Sequence, residues 1–213
     1  DDETMISVYT YQSSIYQALG DYDKAFKLQM NALTLNEERE DKSGMARSNY
    51  LIGTIFFYQG QYEKALTYYE TSKDIGESLD EKKSTYACLA AIGSAYSRLA
   101  NHEQALIYTK KALELARELK YQAGIAYALG NLGNEYSRRN QLDLATDYIQ
   151  QSIEIKRKLN DDWGVIGGYL GLAALNNKHE KYDQAIDLLH KGLDLSIRIS
   201  AKPRQLEIYN ELI

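Results

Sequence analysis

Residues 93–112 read GSAYSRLANHEQALIYTKKA, and the spacing within this stretch is typical of a helical hairpin. A small residue, Gly93, stands three positions before an aromatic residue, Tyr96, and twelve positions before Ala105. The apolar residues recur every three or four positions, as on one face of a helix, whereas a strand would alternate them. Asn101 lies between the two halves, where its side chain can cap the second helix. The stretch therefore predicts two amphipathic helices joined by a short turn.

The same spacing recurs along the chain at a constant interval. Alanine occupies one column at Ala25, Ala65, Ala105, Ala145 and Ala185. A small residue occupies the small column, at Ser13, Gly53, Gly93, Gly133 and Ala173. The aromatic column holds Tyr16, Phe56, Tyr96 and Tyr136, with Asn176 in the fifth copy. Self-similarity at a fixed period is typical of a tandem repeat protein, in which each repeat packs against its neighbours.

The period sets the expected domain organisation. We expect a single array across residues 1–213, with repeats at 4–43, 44–83, 84–123, 124–163 and 164–203. Residues 204–213 repeat the start of the fifth copy, so we expect them to form the first helix of a sixth repeat. A first helix without its second leaves an apolar stripe uncovered, and we expect the natural protein to continue past Ile213. The turns between repeats are expected at residues 41–44, 120–124 and 161–164, each of which ends on a glycine.

Composition excludes several classes of protein. Hydrophobic residues make up 44% of the 213 and charged residues 26%, which is typical of a globular chain and excludes disorder. With 14 Gly and 1 Pro, the chain has too few turn residues for a β-sandwich or barrel. A net charge of −5 disfavours binding to nucleic acid, because such binding relies on a basic surface. The longest apolar stretches are too short and too rich in glycine to span a bilayer.

The columns resemble the tetratricopeptide repeat, whose pattern is a small residue and an aromatic in the first helix and an alanine in the second. The family period is about 34 residues, whereas the longer interval here, from Ala65 to Ala105, indicates a long-helix variant. That variant is similar to repeats of spindle-orientation adaptors, of Gram-positive peptide-pheromone receptors and of sensory domains in bacterial signalling proteins. The resemblance implies an all-α fold, an α-solenoid that coils as a right-handed superhelix. It also implies that the first helices line a concave groove that binds a protein or peptide.

Two sets of groove residues stand out because packing does not require them. One is the basic column, three cations in register: Arg98, Arg138 and Lys178. The other is the aromatic anchor, which consists of Tyr50, Phe57 and Tyr58. Polar residues at the remaining groove positions complete the predicted peptide-binding site: Thr54, Ser94, Asn131, Asn134 and Asn177. An acidic peptide with an apolar end would suit this set, since the cations bind carboxylates and the asparagines bind backbone amides.

Each of these sets also has a structural interpretation. Basic residues near a helix C-terminus complement the macrodipole without binding anything. Phe57 and Tyr58 can pack against the second helix of their repeat as core residues. Asn131 and Asn134 can bond to side chains of the adjacent repeat.

The sequence offers no support for enzyme chemistry. It contains no phosphate-binding loop, no metalloprotease motif and no nucleophile elbow, so we expect no catalytic residues, no cofactor and no bound metal. We interpret Cys88 as a buried inert thiol and His102 as a core or rim residue. One cysteine does not distinguish a reducing from an oxidising compartment, so the localisation stays open.

Three functions follow from this interpretation. The first is a binding module that recognises a peptide or partner helix, as the sensory or interaction part of a larger signalling protein. The second is a static assembly scaffold that self-associates through its open C-terminal repeat. The third is a regulatory domain of a kinase or cyclase that lies outside this sequence.

Overall fold

The computed structural model describes residues 2–212, and every regular element in that range is a helix. The helices are α1 (Asp2–Ala18), α2 (Tyr22–Glu38), α3 (Lys42–Tyr58), α4 (Tyr62–Ser78), α5 (Lys82–Arg98), α6 (His102–Glu118), α7 (Gln122–Arg138), α8 (Leu142–Lys158), α9 (Asp162–Lys178), α10 (Tyr182–Arg198) and α11 (Lys202–Leu212). Consecutive helices form the tandem helical hairpins that the repeat pattern predicts. The all-helical repeat fold is thus confirmed.

The hairpins share one turn geometry. The helices α1 to α10 are each 17 residues long, and three residues separate each from the next. The middle residue of each turn has a positive φ, as Gly20 and Gly60 do, and a non-glycine residue such as Ala100 takes the same conformation in eight of the turns. After α5, the amide of Ala100 donates to the Ser97 carbonyl and that of Asn101 donates to the Tyr96 carbonyl. This Schellman pattern satisfies carbonyls that the end of the helix leaves free.

The glycines expected in the turns between repeats lie inside helices. The predicted turn segments begin within the observed turns but extend too far, because α3, α7 and α9 have already started at residues 42, 122 and 162. Gly44, Gly124 and Gly164 each lie in the first turn of one of these helices. The amides of Gly44 and Gly164 donate to the capping carboxylates of Asp41 and Asp161, each at 2.9 Å. A Cβ at either glycine would overlap that carboxylate. Glycine therefore serves the cap of the helix and not a bend in the chain.

The small column lies where paired helices approach each other. A Cβ built on Gly53 would fall 2.7 Å from the Tyr69 ring, and one on Gly133 would fall 2.5 Å from Ile149. In the first hairpin, the hydroxyl of Ser13 donates to the carbonyl of Ala25 across the same contact, at 2.9 Å. The column is small because the partner helix leaves no room for a larger side chain.

In the second, third and fourth repeats, the aromatic column stacks the first helix on the second. Phe56 stacks on Tyr68 with ring centroids 5.5 Å apart, and Tyr136 stacks on Tyr148 at 5.3 Å. The Tyr96 ring stacks on that of Tyr108 at 5.5 Å. Stacked rings fill the space beside the small column, which explains why the two columns recur together.

The chain divides into two compact units, and each has its own core. Unit 1 ends at Leu115, and unit 2 begins at Ala116. The unit 1 core includes Ala65, Tyr69 and Ile92. The unit 2 core holds two clusters of buried side chains, which include Ala145, Ile149, Val165, Leu172, Ile166, Ala185 and Ile208. Within residues 2–212, no helix has the length and apolar character that crossing a membrane requires.

Candidate functional site

The aromatic anchor in unit 1 is mostly part of the core. The ring of Tyr50 lies 5.5 Å from that of Tyr69, and the ring of Phe57 lies 5.3 Å from that of Tyr62 on α4. Tyr50 and Phe57 are half-buried against the unit 1 core, whereas Tyr58 is 60% exposed. Phe57 therefore packs as a core residue, in agreement with the structural interpretation. Tyr58 is the member of the anchor whose ring is open to a ligand.

The hydroxyl groups predicted for the groove bond to their own helices. Thr54 donates to the Tyr50 carbonyl at 2.9 Å and accepts a hydrogen bond from the Tyr69 hydroxyl at 3.3 Å. Ser94 donates to the Ala90 carbonyl at 3.0 Å. Burial raises the pKa of the Tyr69 phenol, so this hydroxyl remains a donor in the physiological range of pH. Thr54 can still offer a lone pair to a ligand.

The basic column places a cation at the C-terminus of three first helices. Arg98, Arg138 and Lys178 are the last residues of α5, α7 and α9, and all three are exposed. This placement fits the macrodipole interpretation as well as the binding one. In unit 2 the ammonium of Lys178 donates to the carbonyl of Ser137 at 3.3 Å and to its hydroxyl at 3.2 Å. Two cations thus lie beside the C-terminus of α7.

An acidic residue that the recurring columns do not predict accompanies Arg138 and Lys178. Glu135 is 2% exposed, and its carboxylate lies 2.6 Å from the guanidinium of Arg138. The equivalent positions in other repeats hold Ile55, Ala95 and Leu175. A charged residue in a column of apolar ones was the signal that could have revealed it. Glu135 neutralises part of the positive charge that the basic column contributes in unit 2.

The three asparagines of the predicted site lie on the first helices of unit 2. Asn134 and Asn177 are exposed, and Asn131 is half-buried. The carboxamides of Asn131, Asn134 and Asn177 bond to no other side chain within residues 2–212, so the structural interpretation does not account for them. A carboxamide offers both a donor and an acceptor, which is what the backbone of an extended peptide requires.

A second missed feature is a polar cavity in unit 1. The cavity has a volume of about 620 Å³ and lies between α1 and α3, with side chains of α2 in its wall. Residues of all three helices line it, including Thr10, Ser14, Gln29, Asn36, Arg47 and Ser48. The repeat columns again carried a signal, because Gln29 aligns with Tyr69, Thr109, Ile149 and Leu189.

The groups that could support covalent or metal chemistry are placed as structural ones. Cys88 is buried, and its thiol lies 3.2 Å from the Ser72 hydroxyl. Burial raises the pKa of this thiol, which suppresses the nucleophilic thiolate. Among residues 2–212, no group of three or more His, Cys, Asp or Glu side chains is arranged to hold a metal ion.

Comparison with sequence families identifies the repeats. The sequence model of the tetratricopeptide repeat matches residues 4–78 and 85–158. Residues 170–209 match the model of anaphase-promoting complex subunit 5. No curated protein matches the chain in sequence.

Solved structures show the same fold at low identity. Aspartyl phosphate phosphatase F from Bacillus subtilis has a TM-score of 0.88 at 17% identity, over 98% of this chain and 55% of that one. A Rap protein complexed with competence and sporulation factor has a TM-score of 0.84 at 19% identity, over 96% and 57%. The Rap conjugation gene regulator of plasmid pLS20, in complex with a Phr peptide, has a TM-score of 0.80 at 16% identity, over 95% and 56%. This chain therefore spans little more than half the length of these three proteins.

Proposed function

Because the chain belongs to the tetratricopeptide repeat family, we propose that it is an interaction module that binds a peptide or a partner helix. The first helices of each unit would supply the binding surface, as the sensory or interaction part of a larger signalling protein. Two solved structures of the same fold are complexes, one with competence and sporulation factor and the other with a Phr peptide. Those complexes support the class of ligand, and the residues of this chain indicate its chemistry.

The observation that carries the proposal is the set of free carboxamides beside two cations in unit 2. Asn131, Asn134 and Asn177 have no side-chain bond within residues 2–212, and Arg138 and Lys178 lie near the end of α7. Amide side chains pair with a peptide backbone in any sequence, whereas the cations favour carboxylates. This combination suits an extended acidic peptide.

In unit 1, Tyr58 is the proposed contact for an apolar side chain of a bound peptide. An exposed tyrosine provides a rigid ring and a polar hydroxyl, a combination enriched in binding hot spots. The ring of Phe57 contacts that of Tyr58 edge-on at 5.9 Å, which limits how Tyr58 can turn. Tyr50, Thr54 and Ser94 would border this contact, and Arg98 would extend the cationic surface of unit 1.

The test is a peptide array read against single substitutions. The array carries acidic and neutral peptides of equal length, and the variants are Asn134→Ala, Arg98→Ala, Arg138→Ala and Lys178→Glu. We expect acidic peptides to bind, and the variants to weaken them about fivefold to tenfold, since each removes one charge-assisted or amide contact. Lys158→Glu is the control, because Lys158 is exposed and ends α8 as Lys178 ends α9. Equal binding to all variants would contradict the proposed surface.

Self-association is a second candidate function, favoured by the exposed side chains of Leu206 and Tyr209 on α11. A scaffold built on this helix would pair the apolar stripe of one copy with that of another. Light scattering of the wild-type chain and of Leu206→Glu tests it. A concentration-dependent dimer that the substitution abolishes would support assembly, and a monomer at every concentration would reject it.

A further inference from the structure

The cavity between α1 and α3 has a floor of buried polar side chains. Gln29 is 1% exposed, and Asn36 and Ser48 are each 2% exposed. Both carboxamides donate to one atom, the hydroxyl oxygen of Ser48, at 3.3 Å from Gln29 and 3.1 Å from Asn36. We call these three residues the polar floor.

The repeat architecture does not require the polar floor. The position of Gln29 is filled by Tyr69, Thr109, Ile149 and Leu189 in the other repeats. The position of Ser48 is filled by Cys88, Ala128, Gly168 and Ile208. Apolar or small residues pack both positions in most other repeats of this chain, so the fold alone does not explain Gln29 and Ser48.

One atom of the polar floor lacks a hydrogen bond. The oxygen Oε1 of Gln29 is buried and has no partner within residues 2–212. An unpaired buried acceptor destabilises a protein, and native structures contain few of them. Because Gln29 lines the cavity, a rotation of its carboxamide would present this oxygen to a donor that enters the cavity.

The charges around the cavity leave one cation uncommitted. Arg39 forms an ion pair with Glu3 at 2.8 Å, and Asp41 accepts a hydrogen bond from the amide of Gly44. Arg47 lines the cavity, is exposed, and forms no ion pair within residues 2–212. An exposed guanidinium without an ion-pair partner can bind a carboxylate.

We propose that this cavity binds a peptide carboxylate together with a neighbouring peptide N–H group. The N–H donates to Oε1 of Gln29, and the carboxylate accepts hydrogen bonds from Arg47. Both groups exist at a peptide C-terminus and also at an aspartate within a peptide. A volume of about 620 Å³ holds one or two residues of such a ligand. This inference rests on the proposed function, and it assigns to unit 1 a subsite separate from the asparagines of unit 2.

The test uses a randomised hexapeptide library in two forms, one with a free C-terminal carboxylate and one with a C-terminal amide. Peptides retained by the wild-type chain are labelled, and their affinity is measured by fluorescence anisotropy against Gln29→Leu and Arg47→Ala. We expect each substitution to weaken binding at least tenfold. Arg139→Ala is the control, because Arg139 is exposed and lies outside the cavity, in unit 2. We expect it to bind as the wild type does.

Gln29→Leu also separates a loss of binding from a loss of folding. Leucine occupies the equivalent position at Leu189, where it is buried. The substitution removes the unpaired acceptor, so we expect the thermal midpoint to stay level or rise while binding falls. A purely structural role for Gln29 would lower the midpoint and leave peptide affinity unchanged.

The outcomes distinguish this inference from the proposed function. Selection of free-acid peptides alone identifies the C-terminal carboxylate as the ligand group, and selection of amidated aspartate peptides identifies the side chain; both support the cavity. Peptides that bind Gln29→Leu and Arg47→Ala as tightly as the wild type, yet are weakened by Asn134→Ala, would overturn the inference and leave the proposed function standing. Retention of no peptide by the wild-type chain would overturn both.

Discussion

Arg138 and Glu135 form an ion pair whose two members differ sharply in their access to water. Their charged atoms lie 2.6 Å apart, but the side chain of Arg138 is 48% exposed and that of Glu135 only 2% exposed. A buried carboxylate depends on its partners for stabilisation, because water cannot reach it. An exposed guanidinium can exchange its partner for water at little cost. Removal of Arg138 therefore leaves a buried charge without this partner, whereas removal of Glu135 leaves a guanidinium that water can solvate.

The first prediction follows from this asymmetry. We expect Arg138→Ala to lower the free energy of unfolding by about 1–3 kcal/mol, because it removes a partner from a buried carboxylate. We expect Glu135→Leu to be nearly neutral, because leucine occupies the same column at Leu175. Urea denaturation of both variants measures the difference. Equal losses in the two would show that the carboxylate does not rely on Arg138.

The second prediction concerns the small column. A Cβ at Gly133 would lie 2.5 Å from Ile149 and 3.1 Å from the carbonyl of Ala145, so we expect Gly133→Ala to cost about 1–3 kcal/mol of stability through overpacking. Gly192→Ala is the matched control in the same unit, since its nearest neighbour would be 3.4 Å away. We expect the control to be neutral or stabilising by up to about 1 kcal/mol through helix propensity. Thermal unfolding of both variants measures the two effects. A Gly133→Ala variant as stable as the wild type would contradict the packing role of the column.

The third prediction concerns the left-handed residue that follows each helix. Ala100 has a φ of 56°, whereas the equivalent residues Gly20 and Gly60 are glycines with φ of 78° and 76°. We expect Ala100→Gly to stabilise the chain by about 0.5–1 kcal/mol, because glycine adopts this conformation without strain. Ala90→Gly, inside α5, should instead destabilise by about 1 kcal/mol. Chemical denaturation measures the stability of both variants. A loss of stability in Ala100→Gly as well as in Ala90→Gly would argue against strain at the turn.

The fourth prediction is a dependence of stability on pH. Burial raises the pKa of the Cys88 thiol above its ordinary value of 9.0, so the unfolded chain ionises first as the pH rises. The thiol's contribution to stability is therefore complete below pH 9 and is lost as the pH climbs through the pKa of the folded state.

The variant Cys88→Ala should lose less stability than the wild type between pH 8 and pH 10, since alanine occupies the same column at Ala128. Urea denaturation across this range measures both slopes. The native thiol should also resist alkylation at pH 8 and react once the chain is unfolded. Parallel slopes in the two proteins would show that the thiol does not ionise differently on unfolding.

Recurrence at a fixed period allowed the sequence to predict the helices and their pairing. The columns of Gly93, Tyr96 and Ala105 hold residues of the same kind in the neighbouring repeats. The same packing constraint therefore leaves the same pattern in the sequence several times. The helix boundaries are harder to predict, because Gly44 and Gly164 resemble turn residues in sequence but lie inside helices. A glycine opens a turn or makes room for a capping carboxylate, and the sequence does not separate these two uses.

The candidate site was less predictable, because side-chain partners depend on contacts between helices. Phe57 and Tyr58 are adjacent in sequence, but the first packs on Tyr62 and the second is exposed. Glu135 and Gln29 are exceptions within their columns, so the recurring pattern does not predict them. Their signal in the sequence is the polar residue itself, at a position that most other repeats fill with an apolar one.

The uniform turns have a consequence for how this gene can change. Every turn consists of three residues with the same backbone path. Each helix therefore begins at the same rotation about its axis relative to the helix before it. Duplication or excision of one whole repeat between equivalent turns would therefore restore every remaining junction. The length of such a protein can evolve in whole hairpins, whereas a single inserted codon within a helix would rotate every side chain beyond it out of register.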